Sequence, residues 1–118
     1  MRYHHVAMTE ESLTLSAEEV GGVKTVRCAG RLISTNASRL SAEVKPSLRS
    51  ANRVVLDLTD VAFMDSMGLG TIASLYVSAK TAGCQFEVVN LSRRVRDLFT
   101  MTHLLSLFEP CGESNVTM

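Results

Sequence analysis

The stretch RVVLDLTDVAFMDSMGLGTIA, residues 53–73, decides the fold of this chain. Its opening segment, residues 54–58, is apolar except for Asp57, which is typical of a strand buried on both faces of a parallel sheet. A polar connection leads from this strand to Asp65 and Ser66. Beyond it, apolar residues recur at helical spacing, at Leu69, Ile72, Tyr76 and Ala79. The stretch therefore predicts a strand, a turn and a helix, with a serine where the helix begins.

The composition indicates one globular domain with a modest core. Of the 118 residues, 46% are apolar and 20% are charged, and twelve basic residues balance twelve acidic ones. A chain without net charge has no field that attracts nucleic acid or an anionic membrane, so we expect it to bind neither. No run approaches the ~20 apolar residues of a membrane span, and the first nine residues lack the apolar core of a signal peptide.

The cysteines indicate the redox compartment. Cys28, Cys84 and Cys111 are odd in number and widely spaced. They lack the Cys-x-x-Cys pairing that is typical of a zinc site or a redox dithiol. Thiols of this kind suit a reducing compartment, and we expect the protein to be cytoplasmic.

The residues before the central stretch predict a hairpin and a helix. Residues 12–17 and 23–29 form two strands, joined by Gly21 and Gly22, which permit a tight turn. Three good helix caps and a helical apolar pattern follow: Ser34, Thr35 and Asn36, then Ala37, Leu40, Val44 and Leu48. Pro46 interrupts this pattern, and because proline lacks a backbone donor we expect a kink or an end near Val44.

The residues after the central turn predict two more helices and two more strands. The second helix runs over residues 67–82 and stops at Gly83, and residues 84–89 form a strand. Ser92 caps a third helix that ends near Thr102, and residues 106–108 form a short last strand.

The predicted order is β-β-α-β-α-β-α-β, an α/β fold. Its sheet is mixed and largely parallel, entered by an antiparallel hairpin, with the helices packed on the sheet. We expect a flexible segment over residues 1–11, the folded domain over residues 12–109, and a polar tail over residues 110–118.

Ser66 is the main candidate for chemistry. A short hydroxyl at a strand-to-helix turn can cap the helix, which is worth ~1 kcal/mol. It can also accept a phosphate, because the unpaired amides and dipole of a helix start favour an anion. A nucleophilic role needs a base, for which His103 is the only histidine outside the first five residues, and the flanking residues do not form Gly-x-Ser-x-Gly. We therefore expect no catalytic residue.

Carboxylates and glycines surround this serine. Asp57, Asp60 and Asp65 could together hold Mg²⁺ as in receiver domains. A receiver, however, needs a helix after its first acidic pair, and here the pair Glu18 and Glu19 is followed by Gly21, Gly22 and a second strand. Solvated loop carboxylates are the favoured interpretation, and we expect no metal and no cofactor. Gly68 and Gly70 do not complete a phosphate-binding loop and favour close packing.

Residues 56–70, LDLTDVAFMDSMGLG, resemble the signature of STAS domains, and specifically of bacterial anti-sigma factor antagonists. Gly30-Arg31-Leu32 lies where that family has Gly-Glu-Leu-Asp. Residues 92–105 resemble the family's third helix, with Val95, Leu98, Phe99 and Met101 in matching places. The resemblance covers about residues 12–109 and implies the STAS fold.

The resemblance also implies a phosphorylation switch. In the family, the serine after the motif aspartate, here Ser66, is phosphorylated by an anti-sigma factor that is also a serine kinase of the histidine-kinase-like ATPase type. A metal-dependent serine phosphatase reverses this step. The unphosphorylated antagonist binds the kinase and frees the sigma factor. The residues implied in partner binding are Arg31, Ile33, Ser34, Asp65, Ser66, Met67, Gly68, Leu69 and Gly70.

Two stretches depart from the family pattern. Met67 replaces a second hydroxyl residue beside the phosphate acceptor. Arg31 and Ile33 replace an acidic pair, which inverts the charge at the entry to the first helix. A constitutive STAS scaffold module, acting in a signalling assembly without phosphorylation, is the alternative function.

Overall fold

The strands form one mixed sheet in which spatial order follows chain order. A computed structural model of the protein describes residues 2–10 and 13–101. Its strands are β1 (Arg2–Glu10), β2 (Leu13–Val20), β3 (Val23–Leu32), β4 (Arg53–Met64) and β5 (Gln85–Val89). The pairs β1–β2 and β2–β3 are antiparallel, whereas β3–β4 and β4–β5 are parallel. The predicted mixed α/β architecture is confirmed.

In the described part of the chain, three α-helices connect or follow the parallel strands. They are α1 (Ala37–Val44), α2 (Ser66–Ala82) and α3 (Arg93–Met101). The predicted end of the first helix near Val44 is confirmed, because a 3-10 helix over Lys45–Arg49 with Pro46 in its first turn takes over there. Gly83 ends α2 in the left-handed conformation, and the Ser92 hydroxyl accepts a hydrogen bond from the Val95 amide at 3.3 Å.

The core lies where helices cover one face of the sheet. Alternate strand residues are buried there: Leu13, Leu15, Ala17, Val26, Cys28, Val54, Leu56, Leu58, Phe86 and Val88. The buried helix residues that join this cluster include Leu40, Val44, Leu69, Ile72, Leu75, Val95 and Phe99. Right-handed crossovers between neighbouring parallel strands place successive helices on the same face, which explains why α1 and α2 contact each other.

β4 is longer than the sequence predicts, because two irregularities keep it paired with β3 through the expected polar connection. Arg27 pairs with Asp57, Ala29 with Asp60 and Arg31 with Phe63. Between each of these pairs and the next, β4 contains one residue more than β3. As a result, β4 continues to Met64 and delivers the following turn to the end of β3.

The amino-terminal segment also differs from expectation. We predicted a flexible segment over residues 1–11, but Arg2–Glu10 forms β1, paired with the edge of β2. An edge strand offers unpaired backbone donors and acceptors, and these recruit a neighbouring segment by main-chain hydrogen bonds. The predicted strand over residues 106–108 and the tail over residues 110–118 lie outside the described residues.

Candidate functional site

The candidate site lies where the carboxyl ends of β3 and β4 meet. Leu32 at the end of β3 pairs with Met64 at the end of β4. The turn into α1 and the turn into α2 therefore leave the sheet side by side, as expected for neighbouring parallel strands. This edge gathers Arg31, Ile33 and Ser34 from one turn and the segment from Asp65 onward from the other.

Asp65 joins the two turns through its carboxylate. It is the N-cap of α2, and its Oδ1 accepts a hydrogen bond from the Gly68 amide at 2.9 Å. Its Oδ2 accepts a hydrogen bond from the Ser34 amide, also at 2.9 Å. One side chain thus caps the helix and holds the neighbouring turn in place.

The hydrogen bonds to Asp65 also favour its ionised form. Burial raises the pKa of this carboxyl, but hydrogen bonds from the amides of Gly68, Ser34 and Met67 outweigh it, so the pKa lies below its ordinary value. Asp65 therefore remains an anion under neutral conditions. Its charge faces backbone donors of this turn and does not need a metal ion.

Gly68 permits the two turns to approach closely. A methyl group at this position would overlap the carbonyl oxygen of Leu32 and would lie 3.0 Å from the Cγ atom of Met64. At Gly70, two residues further along α2, a methyl group would meet no atom within 4 Å, and the residue lies open to solvent. The predicted packing role therefore belongs to Gly68 and not to Gly70.

Ser66 is the first residue of α2 and is exposed. The sequence indicated that Ser66 itself caps the helix, but this is wrong, because the Asp65 carboxylate takes that role. Within residues 13–101 the Ser66 hydroxyl has no hydrogen-bond partner. Its oxygen is consequently available to a modifying enzyme.

The remaining predicted partner residues divide into exposed and buried sets. Arg31, Ser34, Met67 and Gly70 are exposed, and Ile33 is half-buried. Gly68 and Leu69 are buried, so they shape the turn and offer no side chain to a partner. We call the exposed residues Arg31, Ser34, Phe63, Ser66 and Met67 the Ser66 face.

Phe63 is a member of this face that sequence reasoning missed. It is 37% exposed, and the Arg31 guanidinium lies 5.4 Å from the centroid of its ring. An aromatic residue in an apolar strand is usually interpreted as part of the core. The irregular pairing of β4 is what turns Phe63 outward, and no local pattern signals it.

Asn36 is a second residue that sequence reasoning placed in the wrong role. It precedes α1 but makes no side-chain cap. Its buried side chain instead reaches back along the turn, where Oδ1 accepts from the Ile33 amide at 2.9 Å and Nδ2 donates to the Arg31 carbonyl at 3.0 Å. Asn36 therefore fixes the backbone that carries Arg31.

Replacing Asn36 with alanine is expected to lower the free energy of unfolding by about 2–3 kcal/mol, because two hydrogen bonds are lost and the backbone groups they served are left partly buried. Thr35→Ala is the matched control, since Thr35 is the exposed neighbour; its effect should stay within ~0.5 kcal/mol. Urea denaturation followed by circular dichroism measures both. Equal effects would show that the Asn36 hydrogen bonds do not hold the turn.

Asp57 is engaged by residues around β4. Its Oδ1 accepts hydrogen bonds from the amide and hydroxyl of Thr59 at 2.9 and 2.6 Å and from Asn90 at 3.2 Å, and Oδ2 lies 3.5 Å from Arg27. Burial raises the pKa of Asp57, but these hydrogen bonds and the Arg27 charge lower it below its ordinary value. The interpretation of Asp57 as a solvated loop carboxylate is wrong, since it braces the irregular part of β4.

Metal and nucleophile alternatives gain no support from the part of the chain that the structure describes. Across residues 13–101, no group of three His, Cys, Asp or Glu side chains is arranged to hold a metal ion. His103, the candidate base for Ser66, lies outside the described residues. Of the described helices, none is both long and apolar enough to cross a membrane.

Comparison with known proteins defines the class. The chain belongs to the STAS domain family, which matches residues 14–116. The resemblance identified in residues 56–70 is thereby confirmed.

Its relatives within this class include named antagonists. The chain is 29% identical over 89 residues to the anti-sigma-B factor antagonist of Bacillus subtilis, a match that covers 75% of this chain and 82% of that protein. An anti-sigma factor antagonist from Mycobacterium paratuberculosis has a TM-score of 0.75 at 27% identity, over 84% of this chain and 85% of that one. The phosphorylated form of the Bacillus cell fate determinant SpoIIAA shares the fold, with a TM-score of 0.66 at 18% identity over 79% of this chain and 86% of that one.

Proposed function

We propose that this protein is an anti-sigma factor antagonist whose binding is switched off by phosphorylation of Ser66. In its unphosphorylated form it binds an anti-sigma factor that is also a serine kinase of the histidine-kinase-like ATPase type, and the sigma factor is released. A metal-dependent serine phosphatase restores this form. The relatives named as antagonists support this role.

The observation that carries the proposal is the position of Ser66. Its hydroxyl is exposed, and the cap that a helix start needs is already supplied by Asp65. Modification of Ser66 therefore removes no interaction on which the described fold depends. The Ser66 side chain is free for a regulatory use, because the preceding residue, Asp65, caps the helix.

A phosphate on Ser66 would change binding more than folding. It adds roughly −1.5 to −2 charges at the start of α2, where the helix dipole favours an anion. Asp65 opposes it by repulsion, but α2 continues for 17 residues and is anchored by buried side chains. Next to Ser66, the exposed Met67 offers an apolar contact. A partner seated on Met67 would have to desolvate the new charge, which disfavours the complex.

The proposed setting is the cytoplasm, where the kinase has ATP. Cys28 and Cys84 are buried free thiols, which fits a reducing compartment. Burial, with a smaller contribution from Asp57, raises the pKa of Cys28 to about 12, so that this thiol is inert at neutral pH.

The test is phosphorylation by the cognate kinase with ATP, read by intact mass and by tandem mass spectrometry. We expect one phosphate, on Ser66. Ser66→Ala should remain unmodified, whereas Ser74→Ala, which removes another exposed serine of α2, should be modified like the wild type. Calorimetry should show that the phosphorylated chain binds the kinase at least ~100-fold more weakly, about 2.7 kcal/mol.

Two results would contradict the proposal. One is no phosphate on Ser66 in the presence of a kinase that binds the chain. The other is equal affinity of the phosphorylated and unphosphorylated forms. Tight binding without any modification would instead support the constitutive scaffold function.

A further inference from the structure

Arg31 differs from the other cationic residues of the parallel strands. Lys24 pairs with Glu43 at 2.9 Å, Arg27 with Asp57 at 3.5 Å, and Arg53 with Glu87 at 3.2 Å. Arg31, the fourth cation on β3 and β4, forms no ion pair with any residue in the range 13–101. Both oxygens of the neighbouring Asp65 are already engaged by backbone amides. The Arg31 charge is thus left for an external group.

Arg31 lies over the aromatic ring of Phe63. Its guanidinium is 5.4 Å from the Phe63 ring centroid, within the range of a cation–π contact. Phe63 is 37% exposed and Met67 is 59% exposed, which makes them two of the four large hydrophobic residues exposed in the described part of the chain. A guanidinium stacked on a ring keeps its edge N–H groups free, and its orientation matches a carboxylate bidentately. The Ser66 face therefore combines a preorganised cation with an apolar contact.

We propose that Arg31 and Phe63 select the partner, and that the partner presents a carboxylate to Arg31 above an apolar pocket that receives Phe63 and Met67. This inference rests on the proposed function and specifies the chemistry of the surface that the kinase must offer. Stacking on Phe63 limits the conformational freedom that Arg31 loses on binding. Both oxygens of Asp65, the carboxylate beside this face, are engaged by backbone amides, so the unmatched charge is positive and calls for an acidic partner.

The same charge excludes other occupants. The antagonist pattern that the chain resembles has a glutamate at the position of Arg31, and a kinase surface matched to glutamate would present a cation. Arg31 would repel that surface, so it favours a kinase with an acidic surface over a kinase with a basic one. A second copy of this chain docked through the same face would bring like charges together across a two-fold axis, so self-association is disfavoured as well.

Charge reversal tests the inference. In calorimetry with the full chain and the anti-sigma kinase, Arg31→Glu should weaken binding at least ~100-fold. Arg31→Lys should weaken it ~5- to 10-fold, because lysine keeps the charge but loses the planar fork. Arg49→Glu is the control, since it makes the same change of charge at an exposed site beside the far half of α2; at 1.5 Å per residue, Ser78 there lies about 18 Å from Ser66. It should alter affinity less than ~3-fold.

Rescue is the decisive measurement. Surface acidic residues of the kinase are replaced by lysine one at a time, and one of them should restore the binding of Arg31→Glu while weakening that of the wild type. Circular dichroism and urea midpoints confirm that each variant is folded, and Phe63→Leu tests whether the aromatic ring itself is needed. If the wild type binds and Arg31→Glu binds equally well, the inference is overturned and the proposed function stands. If the wild type does not bind the kinase at all, both the inference about Arg31 and the proposed function are contradicted.

Discussion

Replacing Gly68 with alanine is expected to lower the free energy of unfolding by about 3 kcal/mol, at the upper end of the usual cost of overpacking. The added methyl group would overlap the carbonyl oxygen of Leu32, which belongs to the backbone and cannot turn away. Relief requires the turn into α1 to separate from α2. The Ser34 amide would then move away from Asp65, so the substitution also loosens the hydrogen bond between the two turns.

Gly70→Ala is the matched control on the same helix. Because a methyl group at Gly70 meets no atom within 4 Å, the only expected effect is the better helix propensity of alanine. Its free energy of unfolding should rise by up to about 1 kcal/mol. Urea denaturation followed by far-ultraviolet circular dichroism distinguishes the two variants, which should move in opposite directions. A stabilising effect at both positions would mean that the turns are not in close contact at Gly68.

Asp65→Ala is expected to lower the free energy of unfolding by about 2–3 kcal/mol. The substitution removes the cap of α2, worth about 1 kcal/mol, and the hydrogen bond from Ser34 to a charged acceptor, worth about 1.5 kcal/mol. Asp65→Asn should lose roughly half as much, because an amide oxygen can still accept from Gly68 while its nitrogen cannot accept from Ser34. Asp60→Ala, at an exposed position of the preceding strand β4, should change stability by less than ~0.5 kcal/mol.

The pH dependence of stability provides an independent readout for Asp65. Its folded-state pKa is lowered, so its contribution is fully present above the unfolded value of ~3.9 and is lost as the pH falls through the folded value. Urea midpoints measured from pH 7 down to pH 3 should therefore fall less steeply for Asp65→Ala than for the wild type. Asp57 acts in the same sense, so part of the acid sensitivity should remain in that variant. Parallel pH profiles would contradict the role given to Asp65.

Local patterns were sufficient to predict most of the helical architecture. The helix that ends at Gly83, the interruption at Pro46 and the cap at Ser92 all depend on residues within one turn of each other. Such features are determined by backbone conformations that a few neighbouring side chains favour or forbid. The structure accordingly has them where the sequence predicts them.

The features that were missed depend on pairing between distant segments. After Leu58, the buried residues of β4 are spaced by three instead of two. In the sequence alone this spacing resembles a turn, and only the pairing with β3 shows that the strand continues to Met64. The exposure of Phe63 follows from the same irregularity. β1 was missed for a similar reason. It is held by main-chain pairing with β2, and its sequence has no side-chain periodicity that predicts a strand.

The sequence predicts only part of the candidate site, because some of its features follow from local patterns and others depend on contacts that form only in the folded chain. Ser66 was found because its neighbours form a recognisable strand–turn–helix pattern. The sequence does not show which residue caps α2, since Asp65 and Ser66 can both serve as caps. Only the geometry of the turn shows that Asp65 is the cap. The backward hydrogen bonds of Asn36 were equally hidden, because asparagine before a helix is ordinarily interpreted as a cap.

The carboxylate that joins the two turns also bears on how long a signal would last. Asp65 holds the turn from both sides without any contact from Ser66, so the proposed phosphate would act through its own charge and would not need to rearrange the turn. The modified and unmodified chains would then interconvert only when a covalent bond is made or broken. The fraction of phosphorylated chains would record the recent balance of kinase and phosphatase activity, and that record would persist after the stimulus had ended.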